Sequence, residues 1–492
     1  MFEPEIILGP PGTGKTTQLL SIVQKALSEG TAPNDIGYLA FTRKAANEAI
    51  TRACKQFNLT TRNFPYFRTL HSLAFKQLAL KKNQVLGRKS LQEFGSLIGF
   101  QITGAIEFDE GRISGNLPGD RALFLCNMAR LKCIDIKEQW RETPENLSWY
   151  EIELVFNGLE KFKEARGLLD FTDMLDQFIN RAYMPELKLL VIDEAQDLSQ
   201  MQWQMVETLA AKAKRTVVAG DDDQAIFRWA GADVNYFINL RGKATVLKQS
   251  YRVPEVIQDI ADNIINNIGH RREKKWAARK AKGCMEYHST IDGIDMAEGT
   301  WLVLARNEYR LQEAEDHCRK EGFIYSRRNR KSISEKTLNT IRKWEALRAG
   351  GECNATEARN ILRLVDCKVQ KYPEEGSFTL NNMRDTWDVL SKEIWHEAFT
   401  KMPLHDRVYL IAALRRGENP SKEPRIALNT IHGAKGGEAE NVILYTDIAK
   451  RTYSEMRKNP EDEYRVFYVG VTRTKEILYI ITPHTKFFFS EL

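Results

Sequence analysis

The chain of 492 residues has no run of the roughly 18 apolar residues a membrane span needs. A membrane partner is therefore not expected. A secretory leader is not expected either: Glu3 and Glu5 sit where a signal peptide would be basic and then apolar. Its seven cysteines contain no C-x-x-C pair. That spacing disfavours zinc and iron–sulfur sites and fits reduced thiols in a cytoplasmic setting. Internal repeats and low-complexity tracts are absent. Charge of one sign does not dominate, since the net charge is +6. A nucleic-acid partner is permitted by that balance but not demanded. At about 150 residues per domain, the length implies about three to four domains.

The most informative stretch present is Gly9-Pro10-Pro11-Gly12-Thr13-Gly14-Lys15-Thr16-Thr17. The apolar run Ile6-Ile7-Leu8 precedes it and reads as a buried strand. Apolar residues at helical spacing follow from Leu19 to Leu27. Strand, glycine-rich turn, Lys-Thr and helix are the context of a phosphate-binding loop. The glycines let backbone N–H groups face a phosphate chain, and the helix N-terminus adds partial positive charge. Lys15 is placed to reach the β- and γ-phosphates and the Thr16 hydroxyl to ligate Mg²⁺.

Strands and helices then alternate, as in an α/β domain with a parallel sheet. Gly37–Thr42 reads as a strand followed by a helix, and Phe67–Ala74 as a strand running into one. From Leu86 to Arg166 the pattern turns helical and polar, with breaks at Gly115–Pro118 and Pro144. The strand Leu187–Ile192 ends in Asp193-Glu194, and Thr216–Gly220 ends in Asp221-Asp222-Asp223-Gln224. Open α/β sheets bind ligands at such strand ends. Asp193 is the expected metal-side carboxylate and Glu194 the candidate base for an attacking water. A second α/β series begins near Val246-Leu247. It includes Trp301–Ala305, is interrupted by a helical stretch, and closes on Leu478–Thr482. The expected domains are a first core (1–85 and 166–246) with a helical insertion (86–165), and a second core (247–326 and 421–492) with another (327–420).

Seven segments, in order, resemble the motifs of superfamily 1A DNA helicases, the UvrD/Rep/PcrA group. Beyond the phosphate loop, Tyr38–Ala46 resembles motif Ia and Thr69-Leu70-His71-Ser72 motif Ib. Leu190–Asp197 and Val218–Ala232 are similar to motifs II and III. Gln249-Ser250-Tyr251-Arg252 is similar to motif IV, Thr430–Glu438 to motif V, and Tyr468–Arg473 to motif VI. The resemblance spans nearly the whole chain. It implies two RecA-like parallel-sheet cores and an ATP-dependent 3′→5′ helicase using Mg²⁺ on single-stranded and tailed duplex DNA. Replication or repair proteins would be its partners. A translocase that displaces proteins with little unwinding, and a nucleotide-gated DNA-binding switch, are the alternatives.

The same resemblance implies roles. Gln224 would contact the γ-phosphate. Arg252 and Arg473 would act as arginine fingers, reaching the phosphates from the second core across a cleft. Tyr251 would stack on adenine and Glu438 hold the ribose. Phe41, Phe227 and Trp229 would stack on bases, while Thr42, His71, Thr430 and His432 would touch the strand. There are departures. Eight residues precede Gly9, too few for the family's upstream glutamine motif, so nucleobase choice is expected to rest on Tyr251. Thr17 stands where many members carry Arg. Gly437 and Ala439 replace bulkier residues. A nuclease or partner-recruiting tail is not expected after Thr482. The basic run 270–282 reads equally as a phosphate-binding segment or a solvated face.

Overall fold

The computed structural model describes residues 2–104, 106–107, 112–113, 117–143, 147–181 and 184–492. The expected breaks at Gly115 and Pro144 lie outside the described residues, and Pro118 opens a helix, Pro118–Leu131. Two compact units are present. One comprises Met1–Lys282 and Met456–Arg473, the other Gly283–Glu455 and Thr474–Leu492.

The first unit is built on β1 (Glu5–Leu8), β2 (Ile36–Ala40) and β3 (Tyr66–Thr69), with β6 (Leu189–Asp193), β7 (Thr216–Gly220) and β8 (Ala244–Val246). Their order is β3-β2-β6-β7-β1-β8, parallel throughout. Strands covered on both faces read as near-continuous apolar runs, and alternate residues enter opposite cores. Ile6, Leu39, Leu190, Ile192 and Val218 pack on one face. Ile7, Tyr38, Ala40, Val191 and Val217 pack on the other. The short edge strand β8 is largely exposed. It belongs to this first sheet, hydrogen-bonded to β1.

The insertion in this unit is a helical cluster holding the antiparallel pair β4 (Ile106–Glu107) and β5 (Arg112–Ile113). Its core gathers Leu91, Phe94, Leu125, Ile152 and Val155. Helices Glu255–Ile265 and Glu461–Val471 also belong to the first unit. Both bury apolar faces there, including Ile257, Ala261, Ile264, Val466 and Phe467.

The second unit has a seven-stranded sheet in the order β12-β11-β15-β10-β16-β17-β9. These strands are β9 (Cys284–His288), β10 (Trp301–Ala305), β11 (Tyr325–Arg327), β12 (Arg330–Lys331), β15 (Ile426–Thr430), β16 (Ala439–Tyr445) and β17 (Thr474–Ile481). Only the β11–β12 pairing is antiparallel. Helices and the antiparallel pair β13 (Glu352–Asn354) and β14 (Ser377–Thr379) occupy the stretch between β12 and β15. Trp344, Trp387 and Trp395 from that stretch join one core with Trp301 and Val303. Arg327 and Arg328 both pair with Glu308, and Lys331 pairs with Glu423.

Candidate nucleotide site

β1 ends where the loop begins, and the Gly9 N–H donates to the Gly220 carbonyl on β7 (3.0 Å). The Thr13 hydroxyl closes the turn onto the Pro10 carbonyl (2.8 Å). Gly12 is needed twice over. Its φ of 70° is left-handed. A Cβ there would lie 2.4 Å from the Cβ of Arg252 and 2.8 Å from the Ser250 Oγ. The helix Lys15–Ser28 starts directly after Gly14 and has no acidic residue in its first turn. Its N-terminal amides are therefore placed to favour an anion.

Lys15 is largely buried and pairs with Glu194 (2.7 Å) and Asp193 (3.4 Å). Burial, the largest single effect, works to lower its pKa, but Glu194 and Asp193 outweigh it and hold the ammonium above its usual range. Asp193 sits at the end of β6. Burial pushes its carboxyl above the ordinary value, against the pull of Lys15. Tyr38 on β2 donates to its Oδ2 (2.7 Å), and the Glu194 N–H to its Oδ1 (2.9 Å). Glu194 itself takes a left-handed φ of 55°, a conformation that costs energy in a non-glycine residue. The Gln196 amide donates to the Glu194 Oε2 (2.6 Å), and its oxygen accepts from the Asp221 N–H (3.1 Å). Gln196 thus ties the ends of β6 and β7 together. A Cβ on Gly220 would sit 2.5 Å from that amide oxygen.

At the end of β7, Gln224 donates to Asp221 Oδ2 (2.7 Å) and accepts from Arg473 Nη2 (2.7 Å). Arg473 is buried, with its Nε donating to the Val469 carbonyl (3.0 Å). Arg252 follows Ser250, whose fully buried hydroxyl donates to the Pro11 carbonyl (2.7 Å) and accepts from the Arg252 N–H (3.3 Å). The Tyr251 N–H donates to the Gly12 carbonyl (2.8 Å), and its exposed ring lies beside Gly14. Arg252 and Arg473 were expected across a cleft, on the second core. They belong instead to the same compact unit as the phosphate loop. Ser250 and the packing of helix Glu461–Val471 keep them there.

Part of the basic run is neither solvated nor facing outward. Lys274 is buried among Asp221 (3.1 Å), Asp222 (2.5 Å) and Asp223 (2.9 Å). Arg271 clasps Asp223 through two bonds (2.8 and 2.6 Å). Burial raises the Asp221 carboxyl against Lys274. At Asp223, Lys274 and Arg271 overcome burial and lower it. Asp221, Asp222 and Asp223 are grouped closely enough to hold a metal ion, as are Glu160, Asp170 and Asp173. Both groups already hold cationic side chains: Lys274 in the first, Arg130 and Lys163 in the second.

Of the residues expected to meet DNA, Trp229 is partly exposed in the turn that follows Gln224. Phe227 is buried and packs against half-buried Phe41 (5.5 Å between ring centroids). In this conformation it supports Phe41 and presents no open face. The Thr42 hydroxyl caps helix Arg43–Phe57 by accepting from the Ala45 N–H (3.1 Å). His71 meets Phe171 edge-on (5.7 Å) and lines a cavity of about 580 Å³ between core and insertion. Thr430, His432 and Glu438 belong to the second unit. There the Thr430 hydroxyl accepts from the Gly433 N–H (3.1 Å), and Glu438 pairs with Lys475 (2.7 Å). Tyr38, Gln196 and Ser250 were not picked out as functional from sequence. All three lie inside segments that resemble family motifs, Ia, II and IV respectively, and that is the signal that marks them.

Residues 2–245 match the UvrD/REP helicase N-terminal domain, and residues 326–485 the UvrD-like helicase C-terminal domain. The chain belongs to the UvrD/REP helicase family. It is similar to a probable DNA helicase II homolog of Rickettsia conorii, with 28% identity over 625 aligned positions covering 99% of this chain and 92% of that protein. A homolog of the same description from Rickettsia felis is 23% identical, covering 99% and 91%. The ATP-dependent DNA helicase PcrA of Staphylococcus epidermidis is 24% identical over 319 positions, covering 60% of this chain and 42% of its own. An arterivirus nonstructural protein 10 helicase aligns with 98% of this chain and 62% of its own, at 10% identity and a TM-score of 0.36. Among the described residues, no helix is long and apolar enough to cross a membrane.

Proposed function

We propose that this UvrD-family helicase hydrolyses ATP to move 3′→5′ along single-stranded DNA and to open duplexes ahead of it, acting in the cytoplasm alongside replication or repair proteins. The observation that carries the reading is the shared turn after β7. Its Gln224 touches Arg473 in the nucleotide site (2.7 Å), and Trp229 stands partly exposed five residues on. A change at the phosphates therefore has a short covalent path to a ring able to stack on a base.

The phosphate chain binds the amides after Gly9, and Lys15 turns from Asp193 and Glu194 toward the β- and γ-phosphate oxygens. Released from Lys15, Glu194 orients the attacking water and accepts its proton, while Gln196 holds the carboxylate in place. Arg252 and Arg473 offset the charge that develops on the transferring phosphoryl group. Tyr251 stacks on the base. The Thr16 hydroxyl and the Asp193 carboxylate are the hard oxygen donors that suit Mg²⁺, and they would hold it. Bound there, the ion would neutralise charge on the β- and γ-phosphate oxygens. Phe41, Thr42, His71, Trp229, Thr430 and His432 are assigned to the strand. Glu438 is assigned to the ribose.

The test is unwinding of duplexes carrying a 3′ or a 5′ single-stranded tail, with ATP and Mg²⁺. Opening of the 3′-tailed duplex in preference to the 5′-tailed one is expected. Preference for the 5′ tail would overturn the direction. DNA-stimulated hydrolysis without opening of either duplex would leave a translocase and remove the helicase activity.

A further inference from the structure

Residues 271–279 form a strap with a firm hold at each end. At one end, Lys274 and Arg271 grip the three carboxylates at the end of β7, and the Arg272 N–H donates to Asp222 Oδ2 (2.8 Å). At the other end, the strap bonds to the segment that carries Ser250 and Arg252. The Ser250 N–H donates to the Ala277 carbonyl (2.8 Å), and the Ala277 N–H to the Lys248 carbonyl (2.7 Å). The Arg279 N–H donates to the Val253 carbonyl (2.8 Å). One short segment therefore ties down both Gln224 and Arg252, the former through a chain of bonds. Lys274 holds Asp221 Oδ1 (3.1 Å), Asp221 Oδ2 accepts from Gln224 (2.7 Å), and Gln224 accepts from Arg473 (2.7 Å).

We infer that Lys274 is a positioning residue for nucleotide hydrolysis: through Asp221 it fixes the Gln224 amide against Arg473, and the strap aligns that pair with Arg252. The inference rests on the proposed ATPase reading. It also separates two uses of the basic run that charge alone does not distinguish. The Lys274 side chain is 1% exposed, whereas Lys275 beside it is 90% exposed. Lys274 serves the nucleotide side, and its ammonium is closed off from a DNA phosphate. Misplacing a reacting group by about 1 Å costs up to about 100-fold in rate, so a slack Gln224 registers in kcat.

The experiment uses the full chain with Lys274→Met, Asp221→Ala and the exposed control Lys275→Ala. It measures kcat and KM for ATP at saturating single-stranded DNA, together with the salt dependence of DNA affinity. Lys274→Met is expected to lower kcat about tenfold or more with KM within about twofold. The slope of log affinity against log salt is expected to stay at the wild-type value. Asp221→Ala leaves Lys274 paired with Asp222 and Asp223, so it tests the same link even where Lys274→Met does not fold, and it is expected to lose kcat to a similar extent. Lys275→Ala should keep wild-type kcat. A folded Asp221→Ala or Lys274→Met with wild-type kcat would overturn the inference. So would a Lys274→Met salt slope shallower by about 0.7, the mark of one lost phosphate contact to a single strand. A wild-type chain that does not hydrolyse ATP would instead overturn the proposed function itself.

Discussion

Lys15→Ala should do more than stop hydrolysis. The ammonium lies 2.7 Å from Glu194 and 3.4 Å from Asp193, with 12% of the lysine side chain and 4% of the Asp193 side chain exposed. Removing one partner of a buried pair typically costs about 3–5 kcal/mol. Here Asp193 keeps its bonds from Tyr38 and the Glu194 N–H, and Glu194 keeps Gln196 and is partly hydrated. These place the loss near the lower end, at about 3 kcal/mol at neutral pH. The loss should depend on pH. Burial already holds the Asp193 carboxyl above its ordinary value, and Lys15 is the strongest influence pulling it down, so the substitution raises it further. A carboxyl raised on folding binds its proton more tightly folded than unfolded. Stability therefore falls as pH rises through the folded pKa, and the penalty vanishes below the unfolded value of about 4. Urea unfolding of wild type and variant at about pH 8 and about pH 5 measures this. The gap should be largest at the higher pH and narrow at the lower one, while DNA binding persists. An equal gap at both, or none, would refute the account of Lys15 as counter-ion to the two carboxylates.

Ser250→Ala should leave the Pro11 carbonyl and the Arg252 and Val253 N–H groups without their buried partner, costing about 1–3 kcal/mol in urea unfolding. ATP turnover should fall with it, and wild-type values for both would contradict the anchoring role. Gln196→Ala should lower kcat for ATP by about tenfold with KM within about twofold, because Glu194 loses its orienting bond and not its charge; a change in KM alone would argue otherwise. Trp229→Ala should weaken single-stranded DNA binding by about 1–3 kcal/mol and reduce DNA stimulation while basal hydrolysis persists. Equal loss of basal hydrolysis would contradict a DNA-side role for Trp229.

The buried parallel strands were legible because burial on both faces favours a near-continuous apolar run. β6 and β10 read as such from their own residues. The phosphate loop was legible because its chemistry is local: glycine where φ is positive, then Lys-Thr opening a helix. The edge strand β8 was not, since a short exposed strand has no apolar signature. Tyr38 was hidden inside an apolar strand, and its hydroxyl reaches a carboxylate 155 positions away. Lys274 was hidden for the same reason. Charge in a sequence gives sign but not partner, and Asp222 lies 52 positions before it. Residues 247–282 and 456–473 join the first unit through contacts distant in sequence, which no local pattern announces.

The central claim is that the site around Lys15, Glu194, Gln224 and Arg473 is an ATPase coupled to a DNA strand. Steady-state ATP hydrolysis by the full chain, with and without single-stranded DNA, tests it most directly. The account predicts slow hydrolysis alone and a rise of about tenfold or more when the strand is added. A rate indifferent to DNA would contradict it.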